Sequence, residues 1–144
     1  MVKGLVVDCS VSAAWCLKDE ANEAADSVLH SLAAGGGLVP ALWAVEMANI
    51  LVMAERRGRI SASDGERAVE LLKRLPLRMD PPDVETMRRV RLVAREHGLT
   101  AYDACYLELS LRCGLPLATF DGDLASAAKR SGVTLVAGAT AHRR

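Results

Sequence analysis

Neither sign of charge is in excess in this 144-residue chain, with 18 Lys and Arg against 18 Asp and Glu. The broad basic surface that announces a polyanion partner is therefore missing, and any such partner must be met by local groups. The four cysteines, Cys9, Cys16, Cys105 and Cys113, form no C-x-x-C pair and have no companion histidine spacing. That excludes zinc-ribbon and disulfide-framework classes and leaves small buried thiols. Aromatic residues are only 3% of the chain, and Trp43, Tyr102 and Tyr106 lie in helical settings, so they read as core and not as stacking platforms. No apolar run approaches the roughly 20 residues of a membrane span. The opening MVKGLVVDCS is too brief for a signal peptide, which gives the expectation of a soluble cytoplasmic protein. No G-x-S-x-G, Walker loop or G-x-G-x-x-G occurs, so acyl transfer and nucleotide-cofactor chemistry lose their usual signatures. His30, His97 and His142 are scattered, which leaves a two-histidine acid–base mechanism without support.

What the chain does have is apolar material, 51% of its residues, enough for one continuous core at the commonest single-domain size. Neither a repeat nor a linker divides residues 1–144. Short β-rich runs recur at residues 5–7, 38–39, 77–79, 117–120 and 133–136, with helical patterns between them. Runs that are apolar at consecutive positions suit strands covered on both faces. The expectation is an α/β/α sandwich around a mostly parallel sheet of four or five strands. Helix starts are marked by Ser61 with Asp64, Ser63 with Glu66, Pro81-Pro82-Asp83 and Thr100 with Asp103. Gly35-Gly36-Gly37 and His97-Gly98 mark helix ends.

In open parallel sheets the ligand crevice lies beyond the carboxyl ends of the strands, and two acids are placed there. Asp8 directly follows Leu5-Val6-Val7, and Asp121 directly follows Leu117-Ala118-Thr119-Phe120. Taken singly, each is more simply read as a cap on the next helix. Glu46 is more telling, since it and Asn49 are the only polar side chains in residues 40–54. A helix apolar all round is buried by neighbours or by a partner subunit, so Glu46 is expected to enter the interior. A buried carboxylate needs a cation or donors, either a metal or an arginine such as Arg56 or Arg57. On the helix of Asp103, Glu108 and Arg112 lie about 140° and about 180° away and mark the wet face, so Asp103 is expected to face inward. Cap and ligand both remain open for Asp103, because Thr100-x-x-Asp103 has the form of a capping box. Four acids converging from distant segments would repel one another, and a bound Mg²⁺ or Mn²⁺ relieves that repulsion. Such an ion polarises a phosphate and acidifies a water, the chemistry of phosphodiester hydrolysis.

These residues resemble the PIN-domain ribonucleases, and within them the VapC toxins of toxin-antitoxin pairs. Val6-Val7-Asp8-Cys9-Ser10 resembles the family's opening motif, residues 40–51 its Glu-bearing helix, and Leu99-Thr100-Ala101-Tyr102-Asp103-Ala104 its central Asp motif. Leu117-Ala118-Thr119-Phe120-Asp121-Gly122-Asp123-Leu124 resembles the closing T-x-D-x-D-L segment. Each is short, but four in order are specific. The resemblance implies an acidic quartet of Asp8, Glu46, Asp103 and Asp121, both catalytic and metal-ligating, with Ser10, Thr119 and Asp123 in support. It also implies Mg²⁺ or Mn²⁺, endoribonuclease hydrolysis leaving a 5′-phosphate and a 3′-hydroxyl, a homodimer, and a cognate antitoxin.

Arg56, Arg57 and Arg59, then Arg88, Arg89, Arg91 and Arg95, then Lys129 and Arg130 form local basic clusters that could hold phosphates. The Arg88 to Arg95 group is better read as a solvated face paired with Glu85 and Glu96. Two other readings compete with the nuclease. One is a catalytically silent PIN-like module that binds RNA or a partner, which the intact quartet argues against. The other is an Asp-based phosphoryl-transfer enzyme or receiver domain, whose phosphatase version needs a second Asp where Ser10 stands.

Overall fold

A computed structural model describes residues 4–136, so His142, Arg143 and Arg144 lie outside the described residues. Strand β1 (Leu5–Val7) leads into helix α1 (Cys9–Cys16), a single 3-10 turn at Lys18–Glu20, and α2 (Glu23–Gly35). Next come β2 (Gly37–Pro40), α3 (Leu42–Arg56), α4 (Ala62–Lys73), β3 (Leu77–Asp80) and α5 (Val84–His97). The chain closes with α6 (Ala101–Cys113), β4 (Leu117–Ala118) and α7 (Gly122–Arg130).

The sheet has four parallel strands in the order β3-β2-β1-β4. The expected fifth strand amounts to one parallel bridge, Leu117 to Leu135, held by Leu117 N donating to Thr134 O at 2.9 Å and Val136 N to Leu117 O at 3.0 Å. Strand β1 runs centrally and all three of its side chains are buried. Its alternation sorts them between two layers. Val6 packs with Val39, Leu117 and residues of α3, α6 and α7, while Leu5, Val7 and Ala118 pack with α1 and α2. Helices on both faces explain why β1, β2 and β4 are apolar at consecutive positions, whereas the edge strand β3 carries Arg78 and Asp80 and leaves Arg78 and Met79 exposed.

Helix starts follow side-chain caps. Asp8, Asn22, Ser61, Asp83, Thr100 and Asp121 each accept a backbone N–H of the following turn. Ser61 and Asp64 make the reciprocal box at α4, so the alternative start at Ser63 with Glu66 is not used. Thr100 accepts from Asp103 N at 3.2 Å without a returning bond from the Asp103 carboxylate, which leaves that carboxylate to other work. Gly98 ends α5 with a left-handed φ of 65°, a conformation that costs a side-chain-bearing residue about 1 kcal/mol or more.

Two expectations are corrected and one is narrowed. Glu108 is not on a wet face: it is 5% exposed and accepts from Arg89 Nε at 3.0 Å and Arg112 Nε at 2.8 Å, with Arg112 extended to Asp80. The cause is α5 lying against α6, so that Arg89 turns inward while Arg88 pairs locally with Glu85. Of the two covers expected for helix α3, neighbours within the chain supply only part, leaving Val45 68% exposed and Ala44, Ala48 and Asn49 on the surface. Tyr102 is not core either, being 62% exposed, whereas Trp43 and Tyr106 are buried. The four thiols are free and only half-buried.

Candidate active site

The strand order reverses at β1. The chain moves from β1 to β2 on one side and reaches β4 on the other, and the crevice of such a sheet opens where those directions part. Asp8 and Asp121 follow the two strands that border it. Asp8 N donates to Ala118 O at 3.1 Å, so the β1–β4 pairing runs up to the first acid.

Two hydroxyls fasten the strand ends together. Ser10 Oγ donates to Asp8 Oδ1 at 2.6 Å and accepts from Phe120 N at 2.8 Å. Thr119 Oγ1 donates to Asp8 Oδ2 and accepts from Asp121 N at 2.9 Å. Asp8 is 5% exposed, and Val11 N adds a third donor at 3.2 Å. Burial nevertheless pushes its carboxyl up to about 6, with the Asp121 charge adding to the rise and the three donors opposing it.

Glu46 sits half-buried on α3 and is held by neither Arg56 nor Arg57. Tyr106 Oη, from α6, donates to Glu46 Oε1 at 2.6 Å. The Cys9 sulfur donates to the same oxygen at 3.5 Å and lies 3.3 Å from the phenol. Burial pushes both the Cys9 thiol and the Tyr106 phenol far up, so both stay protonated as donors. Asp103, one turn before Tyr106, is half-buried, and its carboxyl is pushed up to about 6. Desolvation is the main cause, followed by the charges of Asp121, Glu46 and Asp123.

The four acids thus act on one another in a chain. Asp121 raises Asp8 and Asp103, and Glu46 raises Asp103. Every charged neighbour acting on Asp103 is another acid. Among the described residues no three of His, Cys, Asp and Glu already surround one ion position. An all-oxygen donor set with unrelieved repulsion fits a hard divalent cation.

Tyr106 and Cys9 were missed as site residues in the sequence. A signal existed for Tyr106, since a buried phenol needs a polar partner and it lies one turn from Asp103. Nothing in the spacing marked Cys9 apart from its place between Asp8 and Ser10.

The sequence model of the PIN domain matches residues 5–130. Ribonuclease VapC3 of Pyrobaculum aerophilum is 32% identical over 131 residues, covering 84% of this chain and 92% of that protein. The chain belongs to the PIN-domain family. Its VapC-type PIN fold is shared by two solved structures. One is PAE2754 of Pyrobaculum aerophilum, with a TM-score of 0.65 and 28% identity over 87% of this chain and 79% of that one. The other is VapC20 of Mycobacterium tuberculosis, a sarcin-ricin loop cleaving toxin, with a TM-score of 0.62 over 86% of this chain and 95% of that one. At 17% identity VapC20 speaks to the PIN fold alone.

Proposed function

We propose that this VapC-type PIN domain is a Mg²⁺- or Mn²⁺-dependent endoribonuclease and the toxin of a VapBC-type pair. What supports the reading is geometric: Asp8 and Asp121 follow the paired strands β1 and β4 and share Thr119, while Glu46 is bonded to Cys9 beside Asp8 and to Tyr106 on the helix of Asp103. Relatedness to Ribonuclease VapC3 supports RNA as the substrate.

When bound, the divalent ion supplies a Lewis acid that neutralises phosphate charge and acidifies water. The protein's own part is positioning. Asp8 and Asp121 present carboxylates from neighbouring strand ends, with Ser10 and Thr119 fixing the rotamer of Asp8. Tyr106 and Cys9 hold Glu46 through its Oε1. Asp103 completes the ligand set, and exposed Asp123 adds negative charge at its edge.

We extend the reading to a homodimer, a cognate antitoxin and a cytoplasmic setting. The exposed apolar residues Val45 on α3 and Val84 and Met87 on α5 support protein partners. Among the described residues no helix is long and apolar enough to cross a membrane.

Purified protein with Mg²⁺ or Mn²⁺ is expected to cut single-stranded RNA, and Asp8→Asn and Asp103→Asn are expected to abolish cutting. Equal cleavage by all three proteins sinks the assignment. Induced expression is expected to arrest growth, and co-expression of a small DNA-binding protein encoded immediately upstream is expected to relieve it.

A further inference from the structure

Beside the acid cluster, sharing Cys9 and Ser10 with it, lies a hollow. Cys9, Ser10 and Ala13 of α1 form one wall, and Asn49, Ile50, Met53 and Arg57 of α3 and its end form the other. On α3 these follow Glu46 at helical spacing, so the face that carries the acid continues as an amide, an apolar floor and a guanidinium. At about 1.5 Å per residue the stripe from Glu46 to Arg57 runs roughly 16 Å. Asn49 is exposed and, with Glu46, is one of only two polar side chains on α3 through residue 54.

The two arginines at the far end differ. Arg59 is committed, with Nη2 2.8 Å from both Asp19 Oδ1 and Glu20 Oε2. Arg57 is exposed and has no ion pair among the described residues. It is therefore the cation of this hollow with charge to spare. The carboxylates themselves repel a polyanion, and in a chain with no net charge an approaching strand needs a local cation close to the cluster.

We propose that this hollow is a subsite for one unstacked nucleotide next to the scissile phosphodiester of a single-stranded RNA. Arg57 holds the flanking phosphate, the base lies on Ile50 and Met53, and the Asn49 amide reads the base edge. An amide offers both a donor and an acceptor, as a base edge requires, whereas a phosphate alone needs only donors. The inference rests on the ribonuclease reading for its substrate class.

The test uses fluorescently labelled single-stranded RNA oligonucleotides differing in one base, bound to full-length protein with Ca²⁺ in place of Mg²⁺. Arg57→Gln is expected to weaken binding roughly tenfold for all sequences and to lower the salt dependence by about one phosphate contact. Asn49→Ala is expected to leave the salt dependence unchanged and to flatten the preference among bases. Arg88→Gln, remote on α5, is the control and is expected to bind as wild type. If Arg57→Gln keeps wild-type affinity and salt slope, or Arg88→Gln loses as much, the subsite is overturned even though wild type cuts RNA. If wild type fails to cut with Mg²⁺ or Mn²⁺ but the two variants change binding as stated, the nuclease reading falls and the hollow stands as an RNA-binding subsite with no scissile bond beside it. Wild type that neither binds nor cuts RNA overturns both.

Discussion

Tyr106 donates its phenolic proton to Glu46 Oε1 across 2.6 Å, tying α6 to α3 at the mouth of the crevice. Glu46 projects from a helix whose other inward residues are apolar, so this bond is what fixes the direction of its carboxylate. Tyr106→Phe removes one oxygen and little volume. Because Glu46 is half-buried and the Cys9 thiol remains beside it, the stability loss is expected to be about 1 kcal/mol. The larger effect is expected on metal. Calorimetric titration with Mn²⁺ should show several-fold weaker binding, with urea unfolding showing no more than that loss of about 1 kcal/mol. Unaltered Mn²⁺ affinity removes the positioning role from Tyr106.

The carboxylate cluster makes the metal-free protein unusual in its response to pH. The Asp8 and Asp103 carboxyls are raised from 3.8 to about 6 in the folded chain. Between those values the native state holds more protons than the unfolded state, so stability is highest at the acid end and falls as pH rises toward 6. At about 1.4 kcal/mol per unit, buried Asp8 alone accounts for about 3 kcal/mol of that loss. Asp8→Asn is therefore expected to stabilise the chelated protein at pH 7 by about 1–2 kcal/mol, the remainder being lost with weaker hydrogen bonding to Ser10 and Thr119. Urea midpoints in EDTA across this pH range check it. A wild-type midpoint that rises steadily from pH 4 to 7 contradicts the strained cluster.

Glu108 has the opposite character, since it is buried but fully engaged by Arg89 and Arg112. Removing its charge leaves two guanidiniums without their shared acceptor at the α5–α6 contact. Those side chains are about one-third exposed, which tempers the cost expected for breaking a fully buried pair. Glu108→Ala is expected to lose about 2 kcal/mol in urea unfolding while keeping wild-type Mn²⁺ affinity. Loss of metal binding by a folded Glu108→Ala protein tells against this division of labour between the acids.

Glu108 also shows where the sequence was legible and where it was not. The apolar runs of β1 and β2 and the caps at Ser61 and Asp83 are local signals, and the layers follow from them. Asp8 and Asp121 were readable because a strand end is a position along the chain. Glu108 is not legible locally, because Glu108 and Arg112, four apart on α6, look like a solvated pair, and only the approach of Arg89 from another helix turns them inward. Glu46 was recognised as a misfit in an apolar helix, yet its partners, Cys9 and Tyr106, are 37 and 60 residues away. Pairings at that separation follow from packing, which no spacing rule encodes.

Thr119 links the two strand-end acids, giving its proton to Asp8 and accepting from Asp121 N. It is buried with no room for an added group, so Thr119→Val keeps the volume and removes both hydrogen bonds. One of them ends on a buried carboxylate, a contact worth about 1.5–3 kcal/mol when the acceptor is charged. The loss falls mainly on the ionised form of Asp8, which predicts a distinctive pattern. In EDTA, Thr119→Val is expected to be destabilised by about 2 kcal/mol at pH 7 and by less at pH 5, where Asp8 is largely protonated. Saturating Mn²⁺ stabilises whatever native state binds it, by about 2.7 kcal/mol at a hundredfold excess over the dissociation constant. That gain is expected to be smaller in Thr119→Val than in wild type, because an unfastened Asp8 must be ordered as the ion binds. Paired thermal scans with and without Mn²⁺ measure both quantities. A pH-independent loss accompanied by the full wild-type gain from Mn²⁺ makes Thr119 an ordinary packing residue.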